Sequence, residues 1–254
     1  MIPTIVVGFA GLMLLGVPIV VMLVAVTAIA VALHTSTPLN IIPEQLFNGL
    51  DSFVLLAVPF FILAGAIMGK GSIARRLIAF INSLVGWVPG GLAVAGVGAC
   101  VFFAAISGSG MATIAAIGGV MLPAMKEAGY ERRFSVGLLT TAGSLGIVIP
   151  PSIPMILYCL VMNTSVAELF MAGILPGLLI GGMLAGVTLV LGYRNNWRVN
   201  RRPSLREVVR TAREGVWAIL LPVVVLGGIY AGVFTATEAA AVSVVYAIFI
   251  EVFV

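Results

Sequence analysis

Long apolar runs separated by short polar links set the frame of this chain. Residues 4–33 are apolar almost throughout, with Gly16 and Pro18 inside the run. They read as one membrane segment, kinked or tilted where those two residues weaken the helix. Residues 34–51 are more polar and hold His34, Glu44 and Asp51 but no Lys or Arg. Residues 52–69 form a second span, followed by Lys70, Arg75 and Arg76. The run 77–125 is apolar but cut at Pro89-Gly90-Gly91 and again at Ser107-Gly108-Ser109-Gly110. A charged link at 126–133 leads into apolar residues 134–162, broken around Gly143 to Pro154. Residues 173–193, 215–233 and 238–254 complete the membrane segments.

The polar links carry a topology signal. With the N-terminus in the cytoplasm, the basic links 70–76, 126–133 and 194–213 all fall inside. The links 34–51, 163–168 and 234–237, free of Lys and Arg, all fall outside, as the positive-inside rule requires. That assignment needs residues 77–125 to enter and leave on one side. The stretches 92–106 and 111–125 are each about 22 Å long as helices, short of a hydrocarbon core of roughly 30 Å. A re-entrant hairpin over 92–125 with its tip at 107–110 fits this length. The other reading carries 77–106 across as one kinked span and returns through 111–125, leaving the serines in an outer loop. Within 194–213, Leu205, Val208, Val209 and Ala212 recur at helical spacing, with Arg206, Glu207, Arg210 and Arg213 elsewhere. This predicts an amphipathic helix on the cytoplasmic leaflet. Residues 38–50 suggest a nonbasic interfacial counterpart on the other face.

Composition agrees with a membrane protein: 61% hydrophobic, 9% charged, mean hydropathy +1.23, against about a quarter charged in soluble domains. The fold class is all-α, a multi-span helical bundle forming one membrane domain over 1–254. The net charge of +4 sits in short links between apolar runs, so nucleic acid is not the implied partner. Cys100 and Cys159 lie within apolar segments and read as free, buried residues. No basic region precedes Ile2, and the apolar run is too long for a signal peptide, so it reads as a retained first span.

The candidate chemistry sits in the two breaks. Unwound backbone at membrane depth persists only where protein buries it or a cavity lines it, and paired breaks in apolar segments point to a transporter's substrate and ion sites. In Ser107-Gly108-Ser109-Gly110-Met111-Ala112-Thr113 the glycines permit a sharp turn. The hydroxyls and freed carbonyls are neutral, hard oxygen ligands that suit Na+. The helix ending near residue 106 adds a negative dipole end, and the helix starting near Met111 adds a positive end for an anionic substrate group. The plain reading is a small-residue packing patch with an N-cap serine. Thr140, Thr141, Gly143, Ser144 and Gly146 precede Pro150-Pro151-Ser152-Ile153-Pro154, where adjacent prolines break the helix and free carbonyls near Gly146 and Val148. Two hydroxyl-lined breaks at similar depth favour a discontinuous-helix site over two unrelated kinks.

Ionisable residues are nearly absent from the apolar segments, which disfavours a proton relay. There is no HExxH and no buried Asp pair, which disfavours intramembrane proteolysis; an enzyme is not expected. His34, near a boundary, reads as a solvated loop residue. Thr235-Ala236-Thr237-Glu238 matches a capping box opening the last segment.

Three stretches together resemble a known family: AISGSGMATIAAIGGVMLPAM at 105–125, TTAGSLGIVIPPSIPMILY at 140–158 and GVFTATEAAAVSVVYA at 232–247. They are similar, in order and spacing, to the large membrane subunit of tripartite ATP-independent periplasmic (TRAP) transporters, the DctM family. The resemblance runs along all 254 residues. It implies an elevator-type, Na+-coupled symporter of the bacterial inner membrane that imports organic acids such as C4-dicarboxylates or sialic acid. Its partners would be a small DctQ-like membrane subunit and a DctP-like periplasmic binding protein. By this similarity Ser107, Gly108, Ser109, Gly110 and Thr113 fall on the first hairpin tip, and Gly143, Gly146, Pro150, Pro151 and Ser152 on the adjoining broken helix. Ser107, Ser109, Thr113, Gly143 and Gly146 would hold Na+. Ser107, Gly108, Ser109, Gly110, Pro150, Pro151 and Ser152 would line the substrate cleft. Family members have Pro where Ala236 stands and are longer, built as two inverted halves. This chain holds one hydroxyl-rich break followed by Pro-Pro, so it reads as the first half of a truncated or split subunit. A non-transporting membrane scaffold is the competing function.

Overall fold

The computed structural model describes residues 1–197 and 203–253. Every regular element among them is helical. Two compact units emerge, Met1–Ser52 and Phe53–Val254, where the sequence suggests one domain.

The first unit holds α1 (Ile2–Leu14), α2 (Ile19–His34) and α3 (Ile41–Leu50). The predicted single segment 4–33 is thus two helices. Gly16 takes φ +71° and Pro18 starts the next helix, so the break reverses the chain rather than kinking it. Thr4 Oγ1 and His34 Nε2, at opposite ends of this stretch of sequence, lie 2.6 Å apart. His34 is therefore the last residue of α2, not a loop residue. The hairpin brings the N-terminus and the start of the 34–51 link to one end, whereas the sequence expectation put them on opposite sides.

The second unit comprises α4 (Ala57–Lys70), α5 (Ile73–Val85), α6 (Gly91–Ser107), α7 (Gly110–Glu127), α8 (Arg132–Gly143), α9 (Ile153–Met162), α10 (Val166–Arg194), α11 (Leu205–Tyr230) and α12 (Ala236–Phe253). A 3-10 turn, Phe53–Leu56, leads into α4. Stretches Phe53–Lys70, Val166–Arg194, Leu205–Tyr230 and Ala236–Phe253 are long and apolar enough to cross a membrane. On α10, Leu175, Leu178, Leu179, Met183, Val187 and Val190 are all exposed. An apolar face of that extent fits lipid as the surrounding solvent, and the chain is a membrane protein.

Local signals start the helices. Ser165 and Ser204 accept from the backbone N–H of Glu168 and Glu207, capping α10 and α11. The capping box forms: Thr235 N–H and Oγ1 donate to Glu238 Oε2 at 2.8 and 2.9 Å, and Glu238 N–H donates to Thr235 Oγ1 at 3.2 Å. Capped at Ser165, α10 starts before the expected 173. The amphipathic 194–213 stretch and the 215–233 span do not form separate elements: α11 runs through both from Leu205, with Gly215 at their junction held inside the helix. Arg198, Arg201 and Arg202 lie outside the described residues.

In α5, Ile73, Ala74, Leu77, Ile78 and Ile81 form the buried face, the period of an amphipathic helix. This face packs α5 between α6 and α11, while α12 packs along α4. Gly90, at φ +79°, separates α5 from α6, so 77–106 is not one kinked helix. α6 is the central element, touching α5, α7, α8 and α10.

Candidate functional site

The turn between α6 and α7 is built by its own sequence. Gly108 adopts φ +61° after the last turn of α6, and its N–H donates to Ala104 O at 3.0 Å. Ser109 is extended and caps α7, its Oγ accepting from Ala112 N–H at 3.4 Å. Ser107 and Thr113 are fully buried. Their hydroxyl oxygens lie 3.1 Å apart. Both reach the Ser109 carbonyl: Thr113 Oγ1 donates at 2.9 Å and Ser107 Oγ at 3.2 Å. The turn therefore gathers two hydroxyl oxygens around one carbonyl. The last turn of α6 adds carbonyls that no further helical N–H can reach.

The break between α8 and α9 faces this turn. After Gly143 the chain tightens into a 3-10 turn, Ser144–Ile147. Leu145 O then accepts from both Val148 and Ile149 N–H, which closes the turn. The peptide between Pro150 and Pro151 is cis. Fully buried Ser152 donates from Oγ to Ile147 O at 2.8 Å, crossing the unwound stretch. Thr140, Thr141 and Ser144 are exposed; Thr141 Oγ1 and Ser144 Oγ donate to Gly137 O and Thr141 O.

The two breaks meet backbone to backbone. Ile153 N–H, opening α9, donates to Gly108 O at 3.0 Å. A Cβ on Gly146 would lie 2.7 Å from Gly110 N and Ser109 C and 2.8 Å from Ser109 O. A Cβ on Gly108 would lie 2.8 Å from Pro151 O, and one on Gly110 would lie 3.2 Å from Gly143 O. The residues singled out in sequence on the two breaks, 107–110 and 113 with 143, 146 and 150–152, thus form one contiguous cluster. Both ends of the hairpin, Gly91 and Glu127, lie roughly 25 Å of helix away from this contact. Two helix N-termini, those of α7 and α9, begin at the cluster and offer partial positive charge. Among the described residues no group of three His, Cys, Asp or Glu side chains stands together; the donors at the cluster are neutral oxygens.

Sequence reasoning did not reach the residues that seat the cluster. A Cβ on Gly65 of α4 would lie 2.6 Å from Ser107 Cβ and 3.0 Å from Ser107 Cα. On α10, a Cβ at Gly173 would lie 2.7 Å from Val148 O, and one at Gly177 would lie 2.5 Å from Ile149 Cγ1. The signal available was spacing: Gly65 and Gly69, and Gly173, Gly177 and Gly181, recur every four residues, the small-residue pattern of close helix packing. Glu251, the acidic residue inside the last apolar segment, also gains a role. Its carboxylate accepts from Ser72 N–H at 3.0 Å and Ile73 N–H at 3.2 Å, capping α5 from the far end of α12.

The family described as "Tripartite ATP-independent periplasmic transporter, DctM component" matches residues 6–254. A C4-dicarboxylate TRAP transporter large permease protein DctM of Rhodobacter capsulatus is 45% identical, over 96% of this chain and 59% of its own length. An isethionate TRAP transporter permease protein DctMQ of Oleidesulfovibrio alaskensis is 42% identical, over 97% and 39%. A sialic acid TRAP transporter large permease protein SiaM of Vibrio cholerae is 37% identical, over 96% and 57%. The chain spans 53–59% of the length of its C4-dicarboxylate relatives.

Proposed function

The chain belongs to the DctM component family of tripartite ATP-independent periplasmic transporters, and we propose that its paired breaks form a Na+ site and one wall of the substrate path in a permease importing organic acids. The observation that carries this reading is the contact of the α6–α7 turn with the α8–α9 break, which sets the Ser109 carbonyl, where the Ser107 and Thr113 hydroxyls converge, against the Gly146 backbone. Na+ is cargo here. On entry it would take the place of the two hydroxyl protons now directed at Ser109 O, and the Ser107 and Thr113 oxygens would turn their lone pairs to the ion. Neutral oxygens suit a weakly held monovalent cation, which must also leave. The starts of α7 and α9 favour an anionic substrate group beside it. The named substrates of the relatives, C4-dicarboxylate, isethionate and sialic acid, fit that polarity.

The same reading gives the chain a place in the bacterial inner membrane, with the basic links cytoplasmic and the hairpin entering from that side. A small membrane subunit and a periplasmic binding protein would complete the system. The turn and the break, locked together at backbone distance, would move as one block. Thermal unfolding of the purified chain in NaCl, KCl and choline chloride at equal ionic strength tests the cation site. Stabilisation specific to Na+, lost in Ser107→Ala, is expected; equal unfolding in all three salts would sink the assignment. Transport itself is read as Na+-driven organic-acid uptake into proteoliposomes containing the partner proteins.

A further inference from the structure

The first unit carries a helical hairpin with an apolar tip. α1 and α2 hold 13 and 16 residues, about 20 and 24 Å of helix against a hydrocarbon core of roughly 30 Å. Neither reaches across. They pack on each other, and a Cβ on Gly8 would meet Val26 Cγ2 at 3.4 Å. The reversal at 15–18 closes its own backbone. Leu15, Gly16 and Val17 N–H donate to Gly11, Met13 and Leu12 O at 3.3, 3.0 and 3.2 Å, and Pro18 has no N–H to give. These groups need no water, so the turn is suited to lipid.

Side-chain polarity runs the same way. Residues 5–26 carry no polar side chain, and Leu14 and Leu15 at the tip are 90% and 77% exposed. The polar groups gather at the open end: Thr4 beside His34, then Thr35, Ser36 and Thr37. On α2 the exposed Val20, Val21, Leu23 and Ile29 point around most of the circumference. A protein partner would cover one face, whereas apolar exposure on all sides fits acyl chains.

The next helix has the pattern of one that lies at the membrane surface. On α3, Ile42, Leu46, Phe47 and Leu50 share one side, and Glu44, Asn48 and Asp51 the other. Between α2 and α3 a cavity of about 360 Å3 is walled by side chains that are apolar except for Thr27 and Gln45. Charge assigns the face. The link 34–51 holds no Lys or Arg, whereas Lys70, Arg75 and Arg76 end and follow α4. The link is therefore on the non-cytoplasmic side, and the Met1 end of α1 lies there with it.

We propose that residues 1–50 are a half-membrane lipid anchor. The hairpin dips into the bilayer from the non-cytoplasmic face, and its 20–24 Å carry Leu14 and Leu15 to about the midplane or beyond. Acyl chains surround it and fill the wedge beneath α3, which lies along the surface. The Met1 end thus faces the side opposite to the cytoplasmic N-terminus expected from sequence. The anchor is independent of the cation reading, because it involves neither break.

The test is labelling of single cysteines with a membrane-impermeant maleimide. Cys100 and Cys159 are buried, so the unmodified chain supplies the background. Ile2→Cys and Ser36→Cys should both react in intact spheroplasts, Arg133→Cys only after permeabilisation, and Leu15→Cys in neither. Ile2→Cys or Ser36→Cys reacting only after permeabilisation overturns the proposal, and so does Leu15→Cys reacting from the cytoplasm, which would mean two full spans. The lipid contact is read in reconstituted bilayers. Lipid brominated along its acyl chains should quench the fluorescence that Leu15→Trp adds to that of the native chain, and should spare that of Ser36→Trp. Leu14→Trp serves if Leu15→Trp does not insert. Unquenched fluorescence at both tip positions would mean that protein covers the tip, and overturns the lipid assignment.

Discussion

Gly146→Ala is the sharpest probe of the contact between the two breaks. The new methyl would sit 2.7 Å from Gly110 N and Ser109 C and 2.8 Å from Ser109 O. Carbon contacts settle near 3.5–4.0 Å, so the hairpin tip or the break must move by about 0.7–1.3 Å. None of the three atoms belongs to a flexible side chain, so rotamer change cannot absorb the clash. Overpacking of this kind costs about 1–3 kcal/mol. The displaced atoms include the carbonyl that holds Ser107 Oγ at 3.2 Å and Thr113 Oγ1 at 2.9 Å. Where the Ser109 carbonyl yields relative to the two hydroxyls, a shift of that size takes both contacts out of hydrogen-bonding range. The Na+ concentration giving half-maximal stabilisation should therefore rise about 5- to 150-fold if the whole cost falls on the bound state. The assay is differential scanning fluorimetry of the detergent-solubilised protein across a NaCl series at constant ionic strength. Gly137→Ala on α8, with nothing within 4 Å of its Cβ, is the control. It should gain about 0.5–1 kcal/mol of stability from helix propensity alone. Gly146→Ala with wild-type stability and a wild-type Na+ midpoint would refute the packing argument.

Gly65→Ala should destabilise the protein by about 1–3 kcal/mol by pressing on Ser107 Cβ, 2.6 Å from the new methyl; adding Ser107→Gly, which deletes that Cβ, should restore the unfolding temperature, and a double variant worse than either single one would contradict this. Thr113→Val removes one hydroxyl from the cluster and leaves Ser109 O with its Thr113 N–H and Ser107 partners; it should lose about 1 kcal/mol of stability and raise the Na+ midpoint, both read from the same melts. Glu251→Gln keeps one acceptor but loses the charge facing the start of α5; a loss of about 1–2 kcal/mol in chemical denaturation is expected, and no change would show that the cap is not holding α5 to α12.

Local breakers were legible because they act on their own chain. Gly108 and Gly110, Pro150 and Pro151, and the Thr235–Glu238 box each gave the element end that the structure contains. What a break does at longer range was not. Gly16 and Pro18 announce an interruption but not its angle, so a reversal read as a kink. In α11 the change of polarity at 213–215 suggests a boundary, yet the helix continues through it, because one glycine alone does not end a helix. Gly65 and Ser107 lie 42 positions apart in the numbering, and Glu251 caps residues 178 and 179 positions before it. Contacts of that kind depend on how helices pack, and a single sequence carries only the four-residue glycine spacing as a hint. The two halves of the site were readable as separate features; their meeting required the fold.

The α10 helix, 29 residues long, sets an unbroken rod beside the interrupted α8–α9 path. Its glycines divide into two kinds around the same axis. Gly173 and Gly177 touch Val148 and Ile149, while Gly182 and Gly186 have nothing within 4 Å. Alanine on the outer pair would stiffen the helix by up to about 1 kcal/mol each without disturbing what lies behind it. Alanine on the inner pair would wedge α10 off the break. For anyone seeking a sturdier protein for crystallisation or cryo-microscopy, the rod can be reinforced on its lipid face and must be left bare on the other.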